Sequence, residues 1–220
     1  MHKIINNFLK IQDTLNQLKL DLQEDTKTKI IAVSKTFSMN HISPLIENGH
    51  IDFGENKVQE AIDKWSKIKI QNKDIKLHMI GKLQTNKVKY AINLFDYIHS
   101  LDSSKLAKKI SEEQNKTKKK LKIFIQINIG KEEQKNGINE EELNDFYKFC
   151  TKDLDLDIIG LMCLPPINTN TSKYFQEMEK LAKNISIKNL SMGMSEDYLA
   201  AVENGGNFLR IGSKIFGKRI

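Results

Sequence analysis

The sequence predicts an α/β protein, a single (β/α)8 TIM-type barrel carrying an additional N-terminal helix. Eight short apolar runs alternate with helical patterns along the whole 220-residue chain. Several of these runs are apolar on consecutive positions, as expected of strands in a parallel sheet covered on both faces. The length also fits, since closed α/β barrels commonly span about 200 to 250 residues. An open doubly wound sheet would share the alternation, but no G-x-G-x-x-G turn follows the first strand to argue for a dinucleotide site.

Taken in chain order, the opening helix follows from Ile4, Phe8, Ile11, Leu15, Leu18 and Leu22, which are spaced four and three apart. The first strand is IIAVSK (30–35), apolar from Ile30 through Val33. Helical segments at 41–48 and 56–68 lead to the strands HIDFG (50–54) and KLHMIG (76–81). Segments at 84–93 and 103–115 lead to FDYIHSL (95–101) and LKIFIQINI (121–129). A helix at 139–150 precedes DIIGLMC (157–163), and Pro165 and Pro166 mark the loop beyond it. Helices at 172–184 and 196–203 follow the sixth strand and the seventh, IKNLSM (187–192), and NFLRIG (207–212) closes the set. No linker rich in Pro, Gly or Ser interrupts the pattern, so residues 1–220 are expected to form one barrel domain with no second β domain.

Composition excludes several classes. A hydrophobic fraction of 39% spread along the chain fits neither disorder nor a membrane protein. The N-terminus, MHKIINNFLKIQDTL, is too broken by Asn, Lys and Gln for a signal peptide or span, so a cytoplasmic location is expected. Only Cys150 and Cys163 are present, and they read as reduced, buried thiols with no metal role. Arginine occurs only at Arg210 and Arg219, so nearly all of the 35 basic residues are lysines. The densest run, KTKKKLK at 116–122, has no interleaved aromatics for base stacking, and the net charge of +7 does not imply nucleic acid.

Lys35 closes the first strand, where a buried run empties onto the working face of a barrel. A primary amine there suits covalent capture of a carbonyl. The loops after strands seven and eight, which commonly hold phosphate in this architecture, carry small residues: Ser191, Gly193 and Ser195, then Gly212 and Ser213. Glycines let backbone N–H groups approach an anion, and Ser195 is placed to cap a helix beginning at Glu196. Amine and phosphate cradle together fit a phosphorylated aldehyde or ketone, either pyridoxal phosphate or a sugar phosphate. Arg210, at the end of strand eight, favours the former because its guanidinium would face a ring nitrogen.

AVSKT (32–36), FGEN (53–56), HMIGKLQTNK (78–87), GLMCLPP (160–166), LSMGMS (190–195) and RIGSKIFG (210–217) resemble, in order, the blocks of the pyridoxal phosphate homeostasis protein family. That family is similar to the barrel domain of bacterial alanine racemases. The resemblance implies pyridoxal 5'-phosphate held as a covalent aldimine on Lys35, with Ser191, Gly193, Gly212 and Ser213 around its phosphate and Arg210 at its ring nitrogen. Asn56, in FGEN, points from the same mouth and is a further candidate contact, although capping of the next helix explains it nearly as well. Ala91 departs from the larger aliphatic residue usual in the family, which touches packing and not the site.

Arginine stays charged, leaves the ring nitrogen unprotonated and weakens the electron sink that carbanion chemistry needs. In the similar racemases a tyrosine from a second, β-rich domain acts as base opposite the lysine, and this chain ends at Ile220. Tyr90, Tyr97, Tyr147, Tyr174 and Tyr198 offer no obvious substitute. The expectation is therefore a monomer that stores or delivers the cofactor, in transient contact with apo-enzymes that require it, without strong turnover. A racemase-like lysine-dependent enzyme is the alternative, and a regulatory interaction protein a third class. His78, inside the third strand, reads as a core histidine and not an acid–base catalyst, and Trp65 as a packing residue.

Overall fold

The computed structural model describes residues 2–23, 27–132, 134–167 and 169–217. Arg219 and the chain end at Ile220 lie outside them. Eight strands close into a barrel in chain order, every neighbouring pair parallel. They are β1 (Lys29–Val33), β2 (Asp52–Glu55), β3 (Lys76–Met79), β4 (Tyr97–Leu101), β5 (Lys122–Ile127), β6 (Asp157–Cys163), β7 (Asn189–Ser191) and β8 (Phe208–Ile211). Closure is made by β1 on β8, with Lys29 opposite Phe208 and Ile31 opposite Arg210. The fold is the (β/α)8 barrel expected, and each strand lies within its expected run or within one residue of it.

The helices are α1 (Lys3–Leu22), α2 (Met39–Glu47), α3 (Val58–Gln71), α4 (Val88–Leu94), α5 (Ser104–Thr117), α6 (Leu143–Lys148), α7 (Ser172–Asn184), α8 (Tyr198–Glu203) and α9 (Ser213–Phe216). The extra helix α1 buries Ile4, Phe8, Ile11 and Leu15 along the predicted stripe. It also fixes the end of the barrel, because Asn7 Nδ2 donates to the carbonyl of Ile215 in α9 at 3.0 Å. α6 is shorter than expected: after Lys148 the chain widens into a π-turn over Phe149–Asp153.

Alternation along the strands sorts two cores. Ile31, Tyr97, Phe124, Met162 and Phe208 point into the lumen and form one cluster. Their neighbours Ile30, Ala32, Ile98, Ile123, Leu209 and Ile211 pack outward against the helices in the other. Consecutive apolar residues in the sequence are thus divided between the two layers. Gly54 is needed at one crossing in the lumen, where an added Cβ would lie 2.9 Å from Ile31 Cγ2. Cys150 and Cys163 are free and buried, and burial pushes both thiols up to about 12, so neither is a nucleophile near neutral pH. Among the described residues no helix is long and apolar enough to cross a membrane.

Candidate functional site

The inward face of each strand continues past its end onto the rim. On β1 the series Ile31, Val33 reaches Lys35; on β2 the series Asp52, Gly54 reaches Asn56; on β8 the series Phe208, Arg210 reaches Gly212. Lys35, Asn56, Arg210, Gly212 and Ser213 all border one cavity of about 1000 Å³, together with Ser195 from the loop after β7. The amine after β1 and the small residues after β7 and β8 therefore open into a shared space at the C-terminal end of the barrel.

Ser191 and Gly193 do not border that cavity, contrary to their expected place around a phosphate. Ser191 is fully buried below it, and its Oγ accepts from Arg210 Nη1 at 2.6 Å. Gly193 adopts φ +84°, and its carbonyl accepts from Arg210 N at 3.0 Å. A Cβ at Gly193 would meet Ala201 Cβ of α8 at 2.6 Å, so close helix packing requires glycine there. Both residues hold Arg210, Ser191 at its guanidinium and Gly193 at its backbone.

Ser195 does not cap a helix at Glu196. Asp197 Oδ1 reaches back to accept from Met194 N at 2.7 Å, and this local turn delays α8 until Tyr198. The Ser195 hydroxyl instead accepts from Lys214 N at 3.3 Å, tying the loop after β7 to the start of α9. Gly212 seats that start against β1, with an added Cβ only 3.3 Å from Val33 Cβ.

Asn56 does not cap α3 either, since Lys57 holds that position. Its Oδ1 is buried and finds no hydrogen-bond partner among the described residues. Such an acceptor costs about 1–3 kcal/mol unless a donor meets it. Gly81, after β3, presses on the same residue, because a Cβ there would lie 2.4 Å from the Asn56 carbonyl oxygen.

Lys35 sits between two anchored neighbours. Ser34 Oγ donates to Glu55 Oε1 at 2.7 Å, and the Ser34 carbonyl accepts from Lys64 Nζ at 3.0 Å. Thr36, in the left-handed region at φ 70°, donates its N–H to Glu60 Oε1 at 2.6 Å. Lys64 bridges Glu55 and Glu60 at 2.9 and 3.0 Å, and Trp65 Nε1 donates to Glu55 at 2.9 Å. Trp65 packs on Phe53 as expected, and its indole N–H adds a polar task that packing alone does not reveal.

Arg210 is only 4% exposed, and Nη2 donates to the Cys163 carbonyl at 2.8 Å. Burial lowers its pKa, without removing its charge at neutral pH. From Ser191 a hydrogen-bonded chain continues to His99 Nδ1 (2.8 Å), from His99 Nε2 to His78 Nδ1 (2.9 Å), and from His78 Nε2 to Asp52 Oδ1 (3.0 Å). His78 is thus the core histidine expected, with both ring nitrogens engaged. His99 and Asp52 were not singled out by sequence reasoning, nor were Ser34, Glu60 and Lys64. None of the five tyrosines lines the cavity.

A barrel with a rim lysine after β1 and an arginine ending β8 defines a class, and residues 7–219 match the alanine racemase, N-terminal domain, family. Within it, the pyridoxal phosphate homeostasis protein of Aquifex aeolicus is 35% identical over 200 residues, covering 87% of each chain. That of Escherichia coli K12 is 30% identical over 229 residues, covering 100% of this chain and 98% of its own. The structure of PipY from Synechococcus elongatus PCC7942 with PLP bound superposes with a TM-score of 0.86 at 28% identity, over 98% of this chain and 100% of PipY. The chain belongs to the pyridoxal phosphate homeostasis protein family.

Proposed function

We propose that the cavity holds pyridoxal 5'-phosphate, that Lys35 Nζ condenses with its aldehyde carbon while the aldehyde oxygen leaves as water with the two amine protons, and that the protein stores or delivers the cofactor in vitamin B6 homeostasis. The observation that carries this reading is the shared cavity: Lys35, Arg210 and the Ser195, Gly212 and Ser213 loops face one space. The site also fits on its orphaned atom, since the buried Asn56 Oδ1 awaits a donor of the kind a ring hydroxyl provides. The relatives named for pyridoxal phosphate homeostasis, and PipY with PLP bound, agree with it.

When bound, the cofactor supplies an aldehyde for an amine and a ring that withdraws electrons. Gly212 and Ser213, with Ser195 beside them, receive the phosphate through backbone N–H groups and hydroxyls. Arg210 meets the ring nitrogen as a donor that keeps its own proton, so that nitrogen stays unprotonated and electron withdrawal is weak. Holding is therefore favoured over racemisation or transamination.

Titration of the purified protein with pyridoxal 5'-phosphate is expected to produce a visible absorbance band that is absent in Lys35→Ala. Borohydride reduction should then fix the cofactor to the peptide containing Lys35. Attachment to another lysine would refute the assignment of Lys35. Transfer of the chromophore to an apo-enzyme is expected on mixing. Sustained racemase or transaminase turnover lost in Lys35→Ala would refute storage and favour the enzyme reading.

A further inference from the structure

The hydrogen-bonded chain that ends at Arg210 links residues of five strands across the barrel lumen. It starts at Asp52, the first residue of β2, whose Oδ2 lies 3.4 Å from Lys29 Nζ at the opposite, N-terminal end. From there it passes through His78 on β3, His99 on β4 and Ser191 on β7 to Arg210 on β8. His78, His99 and Ser191 are almost completely buried, in a lumen otherwise filled by Ile31, Tyr97, Phe124, Met162 and Phe208. His78 stacks on Tyr97 at 4.2 Å between centroids and His99 on Phe124 at 4.3 Å, so neither ring can turn without disturbing the core.

The two ends dictate the direction of every bond between them. A guanidinium can only donate and an ionised carboxylate can only accept. Asp52 accepts from His78 Nε2–H. A neutral His78 must then accept at Nδ1, so His99 donates from Nε2. A neutral His99 accepts at Nδ1 from the Ser191 hydroxyl, whose oxygen in turn accepts from Arg210. Burial lowers the pKa of both histidines and places them in this neutral state. All protons point away from the cavity, toward Asp52.

We propose that Asp52, His78, His99 and Ser191 are positioning residues for Arg210: a one-way hydrogen-bond chain that sets the orientation of its guanidinium in the cavity from the far end of the barrel. Their effect on the cofactor rests on the pyridoxal phosphate reading above, whereas the direction of the chain does not. Long-range proton–nitrogen correlation spectra of the ligand-free protein with labelled histidine decide the direction. Both His78 and His99 are expected as neutral rings protonated on Nε2. The opposite tautomer or an imidazolium at either overturns the proposal.

In Asp52→Asn the compulsory acceptor is lost, because the amide both donates and accepts. His99, which does not touch residue 52, is then expected to lose its exclusive Nε2–H signal, and an unchanged His99 overturns the proposal. Ser191→Ala cuts the link next to Arg210 and keeps the charges in place. It is expected to weaken pyridoxal 5'-phosphate binding about ten-fold, the equivalent of one hydrogen bond. Unchanged affinity in Ser191→Ala, with a normal wild-type band, overturns the positioning role. A wild type that shows the expected tautomers but no band would refute the cofactor reading and leave the chain standing.

Discussion

Gly81 and Asn56 meet where the segments leaving β2 and β3 cross at the rim, and their contact leaves no room for a side chain at position 81. A Cβ there would face backbone atoms of Asn56 at 2.4 and 2.8 Å, and backbone cannot rotate away as a flexible side chain would. Gly81→Ala is therefore expected to displace Asn56 at a cost of about 1–3 kcal/mol, the usual range for overpacking. Urea unfolding should register that loss, and pyridoxal phosphate titration should show weaker binding, because the acceptor Oδ1 moves with its backbone. Gly217, whose added Cβ would meet nothing within 4 Å, has the opposite surroundings. Its φ of 92° and ψ of −177° lie in a region that essentially only glycine enters, so Gly217→Ala still costs about 1–3 kcal/mol, through backbone strain and not through a clash. Arg210→Lys tests the neighbouring residue in another way. Lysine keeps the charge but lacks the planar fork that reaches Ser191 and the Cys163 carbonyl together. One of those buried acceptors should go unmet, for a stability loss of about 1–3 kcal/mol.

The element that presents Lys35 is the short connection from β1 to α2, and its shape is imposed from α3. Thr36 at φ 70° is strained for a non-glycine residue, by roughly 1–2 kcal/mol, and the bond from its N–H to Glu60 holds it there. Lys64 is 9% exposed and Glu55 wholly buried, so Lys64→Met would leave a buried carboxylate without its cation and should cost about 3–5 kcal/mol. Glu60 is 27% exposed, and Glu60→Gln should cost under about 1 kcal/mol while lowering pyridoxal phosphate affinity through Thr36. Denaturant midpoints set beside binding titrations separate the two effects. The strands on either side of this loop are legible because a parallel barrel forces runs such as Ile30–Val33 to be apolar on both faces. Lys35, Arg210, Gly212 and Ser213 are legible for a related reason, since strand ends fix which residues reach the rim. The support beneath them is not. Glu60 and Thr36 are 24 residues apart, and His99 and Ser191 are 92 apart, and no local spacing records such pairings. The one available signal was the appearance of Asp52, His78 and His99 on the inward positions of otherwise apolar strands. Ser195 caps no helix at Glu196 because the Asp197 side chain takes the Met194 N–H and α8 starts only at Tyr198.

For the molecule as a whole, the histidines on and beside the barrel axis make folding depend on pH. Burial holds His50 down to about 4 and lowers His78 and His99 as well. In the unfolded chain all three titrate near about 6.5. Between those values the unfolded chain binds protons that the folded protein excludes, so stability rises with pH and drains away as pH falls below about 6.5. Asp52 adds to the loss at lower pH. Burial raises its carboxyl, but the hydrogen bond from His78 and the Lys29 ammonium outweigh that and hold it below its ordinary value. Its contribution is complete above about pH 4 and disappears as pH falls through the folded value. His78 and His99 alone give a slope of roughly 3 kcal/mol per pH unit while both stay neutral, a large share of the 5–15 kcal/mol that typically stabilises a domain. Urea midpoints at pH 7.5, 6.5 and 5.5 should therefore fall steeply, and a flat profile would show that the buried histidines are already charged. Repulsion within a chain of net charge +7 also grows on acidification, but it acts between exposed groups. Raising the salt from about 0.15 M to 1 M shortens the screening length from about 8 Å to 3 Å and suppresses that repulsion, while the buried rings are screened far less. A slope that survives 1 M potassium chloride belongs to the histidines in the barrel; one that vanishes belongs to the lysines on its surface.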